Sequence, residues 1–420
     1  MVAIELTPPT AGPVGEWPTD LLDVAGRISS GWRPEPFGEF VVKVHSRCNL
    51  ACDYCYMYEM ADQSWRSQPA VMSERVMEQV SFRIAEHTAA HGLDEVTVVL
   101  HGGEPLLAGP TAIRRFVRLA QEAAAPTRIE FGVQTNGILL TRAFLDLFTE
   151  YGVRIGVSLD GDAAGQNRHR RYANGRGSYD RVAAGLRLLT SEDYRPLFRG
   201  LLCTIDVDND PIATYREMAD WNPPRVDFLL PHGNWETPPP RRSPDPSSTP
   251  YADWLIPIFD HWYGGARPAP RVRLFSAIIQ LLLGRPAPTE HIGLAPIRLL
   301  VIETDGTLQQ VDALKSTYAG APETGLNVTD NAFEDALVHP SIVARQIGID
   351  ALSATCRACS LRDVCGGGDY THRYRKDSGF RHPSVYCPDL MRLITHVKDR
   401  VGADLRAAHA ARTAGKESRS

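Results

Sequence analysis

From residue 40 to residue 264 the apolar positions follow two alternating rhythms. Short β-branched runs occur at 40–46 (FVVKVHS), 95–101 (EVTVVLH), 128–134 (RIEFGVQ), 154–159 (RIGVSL), 198–205 (FRGLLCTI) and 226–231 (VDFLLP). Between them, and once after the last, lie stretches with an apolar residue every three or four positions, near 73–91, 111–124, 142–151, 178–190, 211–220 and 251–264. Strands that alternate with amphipathic helices predict an α/β fold, a parallel sheet joined by right-handed crossovers. Six such units are too few to close an eight-fold barrel. An open, partial (β/α)6 barrel of the TIM type is therefore expected.

The rhythm breaks elsewhere. Residues 1–36 are rich in Pro and Gly and read as an N-terminal surface segment, with the barrel over 37–235. ETPPPRRSPDPSSTP at 236–250 forms neither a helix nor a central strand, so 236–294 reads as a loop and bridging helical region. A second unit over 295–392 has little apolar periodicity between 352 and 388, where a metal centre would replace part of the core. Residues 393–420 read as a helix and a tail that frays from about 408.

Composition narrows the class. The 420 residues are 43% hydrophobic and 23% charged, with net charge −5, as expected of a soluble protein that binds neither nucleic acid nor membrane. The N-terminus lacks the basic start and apolar run of a signal peptide, and no apolar stretch is long enough to span a bilayer. A cytoplasmic location is expected, and there the eight cysteines need a role other than disulfides. Seven are grouped: Cys48, Cys52 and Cys55, then Cys356, Cys359, Cys365 and Cys387. Cys203, inside an apolar strand, reads as a core residue.

Cys48-Asn-Leu-Ala-Cys52-Asp-Tyr-Cys55 follows the first strand, at the edge where parallel barrels gather their active sites. Three thiolates can bind three irons of a [4Fe–4S] cluster and leave the fourth open to a small molecule. Zinc fits less well, because the spacing lacks a nearby fourth ligand. The later four cysteines suit zinc or a fully ligated cluster, and by residue type alone both remain open.

CxxxCxYC after strand one resembles the radical S-adenosylmethionine (SAM) signature. Three more motifs end the next strands: His101-Gly102-Gly103-Glu104-Pro105, Gln134-Thr135-Asn136-Gly137 and Ser158-Leu159-Asp160-Gly161, with Arg170 beyond. The resemblance implies that Gly102, Gly103 and Glu104 hold the SAM amino group through backbone and carboxylate. It further implies that Asn136 joins the cofactor site, that Ser158 and Arg170 hold the ribose and carboxylate region, and that Tyr54 packs by the adenine. The late group resembles the C-terminal part of a SPASM domain, whose full form carries two auxiliary clusters. Here Val311 and Asp369 stand where cysteines are expected. The resemblance thus implies a radical SAM barrel with a C-terminal SPASM-like iron–sulfur domain, holding two [4Fe–4S] clusters, one SAM-binding and one auxiliary.

The wider wording, including HGGEPLLAGP, GVSLDGDAAGQNRHRRYANGRGSYDRV and TCRACSLRDVCGGG, resembles the FxsB family from about residue 17 to 395. That implies SAM-dependent modification of a short ribosomal precursor peptide: cyclophane formation, in which an aromatic ring carbon is joined to the β-carbon of the i+2 residue. An electron donor of flavodoxin or ferredoxin type is implied as a partner. With no room for a winged-helix domain before strand one, leader recognition is expected from the core domains or a separate protein. Two alternatives are a sulfatase maturase that forms formylglycine, against which the missing cysteines argue, and a non-catalytic peptide-binding maturation partner.

Asp312 follows Val311 and matches, by resemblance, the aspartate that acts as base in sulfatase maturases; a turn aspartate is the plain alternative. His87 and His91 have metal-capable i, i+4 spacing, but on an outer helix they read as a solvated face. Asp227, His232, Asn234 and Trp235 close strand six and read either as groove lining or as a barrel cap.

Overall fold

A computed structural model describes residues 22–245, 247–265, 269–287 and 289–417. Most of the expected N-terminal surface segment lies outside these residues. The described chain begins with a short helix, α1 (Val24–Ser29), capped by the Asp23 side chain.

The six runs become β1 (Glu39–His45), β2 (Glu95–Gly102), β3 (Arg128–Thr135), β4 (Arg154–Ser158), β5 (Phe198–Thr204) and β6 (Arg225–Leu229), all parallel to their neighbours. Their crossovers are α2 (Glu74–His91), α3 (Gly109–Ala124), α4 (Arg142–Tyr151), the pair α5 (Ala163–His169) and α6 (Tyr179–Leu189), and α7 (Pro211–Asp220). Each helix buries the stripe that its periodicity marks. In α2 this stripe runs through Met77, Val80, Ile84 and His87, between a Ser73 N-cap and a left-handed Gly92. Cys203 on β5 lies in the main core.

After β6 come α8 (Pro250–Gly264), the two-residue β7 (Arg271–Val272) and α9 (Arg273–Leu282). The chain then returns to the opposite edge of the sheet. There β8 (Leu299–Ile302) pairs parallel with β1, and β9 (Thr307–Gln309) and β10 (Glu323–Asn327) continue antiparallel. The strand order β10-β9-β8-β1-β2-β3-β4-β5-β6-β7 has two free edges, so the sheet stays open as expected, and β1 is central to it.

The rest is short helices: α10 (Phe333–Leu337), α11 (Pro340–Val343), α12 (Ala354–Arg357) and α13 (Arg362–Cys365), then the long α14 (Cys387–Glu417). The last runs unbroken through residue 408, where a fraying tail was expected. A second, smaller core forms here from Val311, Leu314, Val343, Tyr370, Tyr374 and Phe380, with Leu22 from the N-terminal side.

Candidate active site

The loop after β1 carries Cys48, Cys52 and Cys55, and its own chemistry holds it in place. Arg47 donates to Ser46 Oγ (2.7 Å) and to the carbonyls of Trp65 (2.9 Å) and Gln68 (3.0 Å). The Ala51 amide donates to Arg171 O at 2.7 Å, tying the loop to the segment after α5. Leu50 N and Asn136 Nδ2 both point at Cys48 Sγ (3.4 and 3.8 Å). All three thiols line one cleft with Gly102, Gly103, Asn136, Ser158, Arg170 and Tyr54. Its free space is about 1060 Å³ with the open mouth included.

The two glycines at the end of β2 are sterically required. A Cβ on Gly102 would lie 1.9 Å from His45 O, and one on Gly103 1.8 Å from Tyr58 Oη and 2.5 Å from Arg47 O. Only a bare backbone passes between the cysteine loop and the cleft. Glu104 departs from its expected role, because its carboxylate does not line the cleft. It is fully buried and accepts from Leu106 N (3.0 Å), Thr135 Oγ1 (2.7 Å) and Asn136 N (2.8 Å), so it locks β2 to β3 instead. The part of this motif that faces the cleft is Gly102–Gly103.

Tyr54 is also committed within the protein. Its hydroxyl donates to Asp160 Oδ2 and accepts from Arg170 Nη1 at 2.6 Å, while its ring stays in the cleft wall. Ser158 Oγ accepts from Gln134 Nε2 at 3.0 Å. Gln134 and His101 line the cleft too, and Asp160 anchors Tyr54 and Arg170 from behind. Gln134, His101 and Asp160 lay inside the quoted motifs, but strand-end position alone did not reveal what they do.

The structure places Asp312 behind the cleft wall, where contact with substrate had been expected. Strand register explains this: Lys43 on β1 pairs with His101 on β2, and Glu303 follows Ile302, the β8 partner of Val42. Lys43 Nζ is fully buried, 2.5 Å from Asp312 Oδ1 and 3.0 Å from Glu303 Oε1. Burial pushes the Asp312 carboxyl upward, but Lys43, His101 and Lys315 outweigh it and hold it below the ordinary carboxylate value. His101 stands between, its Nδ1 3.9 Å from Asp312 Oδ2, and burial lowers its pKa so that it is neutral at pH 7.

The four residues on and after β6 divide. His232 lines the cleft, its ring 4.8 Å from that of Tyr56. Asp227 instead pairs with Arg273, Asn234 caps its own turn, and Trp235 Nε1 donates to Pro383 O.

In the second group Cys356 lies on α12, Cys359 just after it, Cys365 ends α13 and Cys387 opens α14. Three consecutive left-handed glycines, 366–368, follow Cys365, and Arg373 Nη2 closes their turn through the carbonyls of Gly366 (2.7 Å) and Gly368 (2.6 Å). The two positions without cysteine have other occupations. Val311 is packed into the smaller core, and Asp369 pairs with His291 at 3.1 Å while capping Thr371.

The donor chemistry fits iron–sulfur clusters. All seven thiols are free. Burial raises Cys48 to about 12, Cys52 to about 11, Cys387 to about 12 and Cys365 to about 11, the opposite of an activated nucleophile. Such thiols ionise on a metal. Zinc bound by four thiolates at about 2.3 Å would draw the sulfurs to about 3.8 Å from one another. Among the described residues no three cysteines bring their sulfurs within 4.8 Å of each other.

Residues 42–219 match the family described as the Radical SAM superfamily. A 155-residue stretch is 32% identical to a serine-type anaerobic sulfatase-maturating enzyme of Bacteroides thetaiotaomicron and spans 37% of each chain. A longer alignment, 26% identical over 349 residues, covers 81% of this chain and 83% of the serine-type anaerobic sulfatase-maturating enzyme of Klebsiella pneumoniae. The solved structure of anSMEcpe with bound AdoMet and Cp18Cys peptide superposes with a TM-score of 0.73 at 20% identity, covering 88% of this chain and 99% of that one. Streptococcus suis SuiB bound to precursor peptide SuiA gives 0.59 at 15% identity, over 86% of this chain and 78% of that one. No helix among the described residues is long and apolar enough to cross a membrane.

Proposed function

We propose that this chain, an enzyme of the Radical SAM superfamily, modifies a short ribosomally made precursor peptide by joining an aromatic ring carbon to the β-carbon of the residue two positions later. The observation that carries the reading is the convergence of Cys48, Cys52 and Cys55 with Gly102, Gly103, Asn136, Ser158 and Arg170 on one cleft. The three thiols would hold the SAM-binding [4Fe–4S] cluster, and the cleft residues would hold SAM. Cys356, Cys359, Cys365 and Cys387 would hold an auxiliary [4Fe–4S] cluster. Bound there, a reduced cluster and SAM supply a carbon radical able to remove a hydrogen atom from the peptide.

The chain's own residues orient and finish the reaction. Arg170, pinned by Tyr54 and Asp160, is a fixed cation for a carboxylate, and Ser158 offers a hydroxyl beside it. Bond formation to a ring costs the peptide two hydrogens, one as an atom and one as a proton with an electron. His101, neutral and at the cleft wall, receives the proton, and Asp312 behind it stabilises the imidazolium. The electron for SAM cleavage would come from a donor of flavodoxin or ferredoxin type, and the auxiliary cluster that Cys356, Cys359, Cys365 and Cys387 would hold would accept the electron released with the proton.

Similarity to sulfatase-maturating enzymes across four-fifths of the chain favours a second reading, oxidation of a serine or cysteine side chain to formylglycine. One experiment separates them. The enzyme is co-expressed with a candidate precursor peptide that contains an aromatic residue and its i+2 neighbour as well as serine and cysteine, and the product is sequenced by tandem mass spectrometry. Crosslinking gives a loss of two hydrogens shared between an aromatic residue and its i+2 neighbour, with no carbonyl. A product that reacts with a hydrazide probe at one residue would replace the first reading by the second.

A further inference from the structure

The outer helix α2 carries two histidines, and they do not form the solvated face expected of them. His87 continues the buried stripe Met77–Val80–Ile84 and is fully buried, covered by α10 of the C-terminal part. His91, one turn on, keeps 28% of its side chain exposed, and Glu334 in the first turn of α10 keeps 37%.

The polar atoms of this group are mismatched as they stand. His87 Nε2 lies 3.2 Å from the carbonyl oxygen of Phe37, which only accepts, so Nε2 carries the ring proton. His87 Nδ1 is then a bare lone pair, and it faces Glu334 Oε1 at 2.8 Å, another acceptor. His91 Nε2 faces the same oxygen at 3.4 Å. Two or three lone pairs aimed at one point require a cation there, either an added proton or a metal ion.

We propose that His87 Nδ1, His91 Nε2 and the Glu334 carboxylate bind one divalent transition-metal ion, zinc by their donor set. These atoms all lie within 4.8 Å of one another, and among the described residues no other group of three His, Cys, Asp or Glu does so. Zinc with bonds of about 2.0–2.1 Å in a tetrahedron separates its ligands by about 3.3 Å, close to the 2.8 and 3.4 Å observed. Histidines at i and i+4 share one helix face. The Phe37 carbonyl fixes the His87 tautomer, as the outer partner of a metal-bound imidazole does. Phe37, Phe40 and Phe333 wall the buried side, with ring centroids 5.7, 5.9 and 6.0 Å from that of His87. The exposed side leaves room for water as a fourth ligand.

The ion would lie by Phe37, just before β1, at the opposite end of that strand from the cysteine loop. Its role is a staple. It would join α2, a crossover of the parallel sheet, to α10, which follows the hairpin β9–β10.

Reconstituted protein holding its iron is incubated with one equivalent of Zn(II), desalted, counted for metal and examined at the zinc K-edge. About one zinc per chain is expected, with nitrogen and oxygen neighbours only, and a raised melting temperature. His91→Ala and Glu334→Gln, both at partly exposed positions, are expected to lose that zinc and the temperature rise while keeping the parent iron content. Failure of the parent to retain zinc would leave only a His87–Glu334 ion pair and overturn the site. So would equal zinc in both variants, or sulfur in the zinc shell. If either variant loses iron as well, the parent's K-edge spectrum alone decides.

Discussion

At the scale of single residues, the charges behind the cleft form one unit. Lys43 is shared by Asp312 and Glu303, and Lys315 joins Glu303 to Asp62 at 3.3 and 3.6 Å. Asp312→Asn keeps the shape and removes the charge that supports His101. SAM cleavage is expected to survive while modified peptide falls at least about tenfold, given that general acid–base catalysis contributes roughly 10²–10⁴. Parent-rate modification by the Asn variant would make Asp312 a turn residue after all. Lys43→Met tests the unit as structure. Removing one partner of a buried pair costs roughly 3–5 kcal/mol, because the remaining carboxylates stay buried without their cation. With Lys43 present, Asp312 titrates below the unfolded value, so acid weakens the fold as pH drops through it. Without Lys43 the largest attraction on the Asp312 carboxylate is gone and its folded value rises, so less of the stability rests on its ionised form. The stability gap between parent and variant should therefore narrow as pH falls through the carboxylate range, from about pH 5 to about pH 3, in anaerobic thermal melts. A gap that widens would contradict this account.

At the scale of elements, the cleft depends on how closely the end of β2 approaches the loop after β1. Gly103 N donates to His45 O and Glu104 N to Arg47 O, both at 3.0 Å, so backbone meets backbone there. Gly103→Ala would drive its Cβ into Arg47 O, which cannot rotate away as a side chain can. The loop must then move, and the three thiols with it. The expected result is loss of about four irons per chain and of 5′-deoxyadenosine formation, with the α-helical circular dichroism retained. Full iron content in this variant would show the contact to be soft.

For the whole molecule, the count of metal centres follows from what occupies each site. Val311 within an apolar core and Asp369 paired to His291 leave seven grouped thiols in two sets. Anaerobic reconstitution should give about eight irons per chain, two four-iron cubes. Replacing Cys48, Cys52 and Cys55 together by Ala should leave about four and abolish SAM cleavage. A parent count near twelve, or zinc bound by sulfur, would require another reading of residues 356–387.

Local pattern alone was enough for the six strands, their crossover helices other than the short α5, and the grouping of the cysteines, because each is a short-range signal: period two, period 3.6, or spacing within one loop. Even the burial of His87 was written in the stripe Met77–Val80–Ile84, although the outer position of its helix suggested solvent. What covers that stripe was not legible, since Glu334 lies 247 residues away on a helix of five. The same holds for Asp312. Its place behind His101 follows from β8 joining the sheet beside β1, and for Glu104 the direction of the carboxylate follows from the close approach of β2 and β3. Periodicity tells which face of an element is buried. Strand order and register, decided by the packing of the whole chain, tell which distant side chain that face meets.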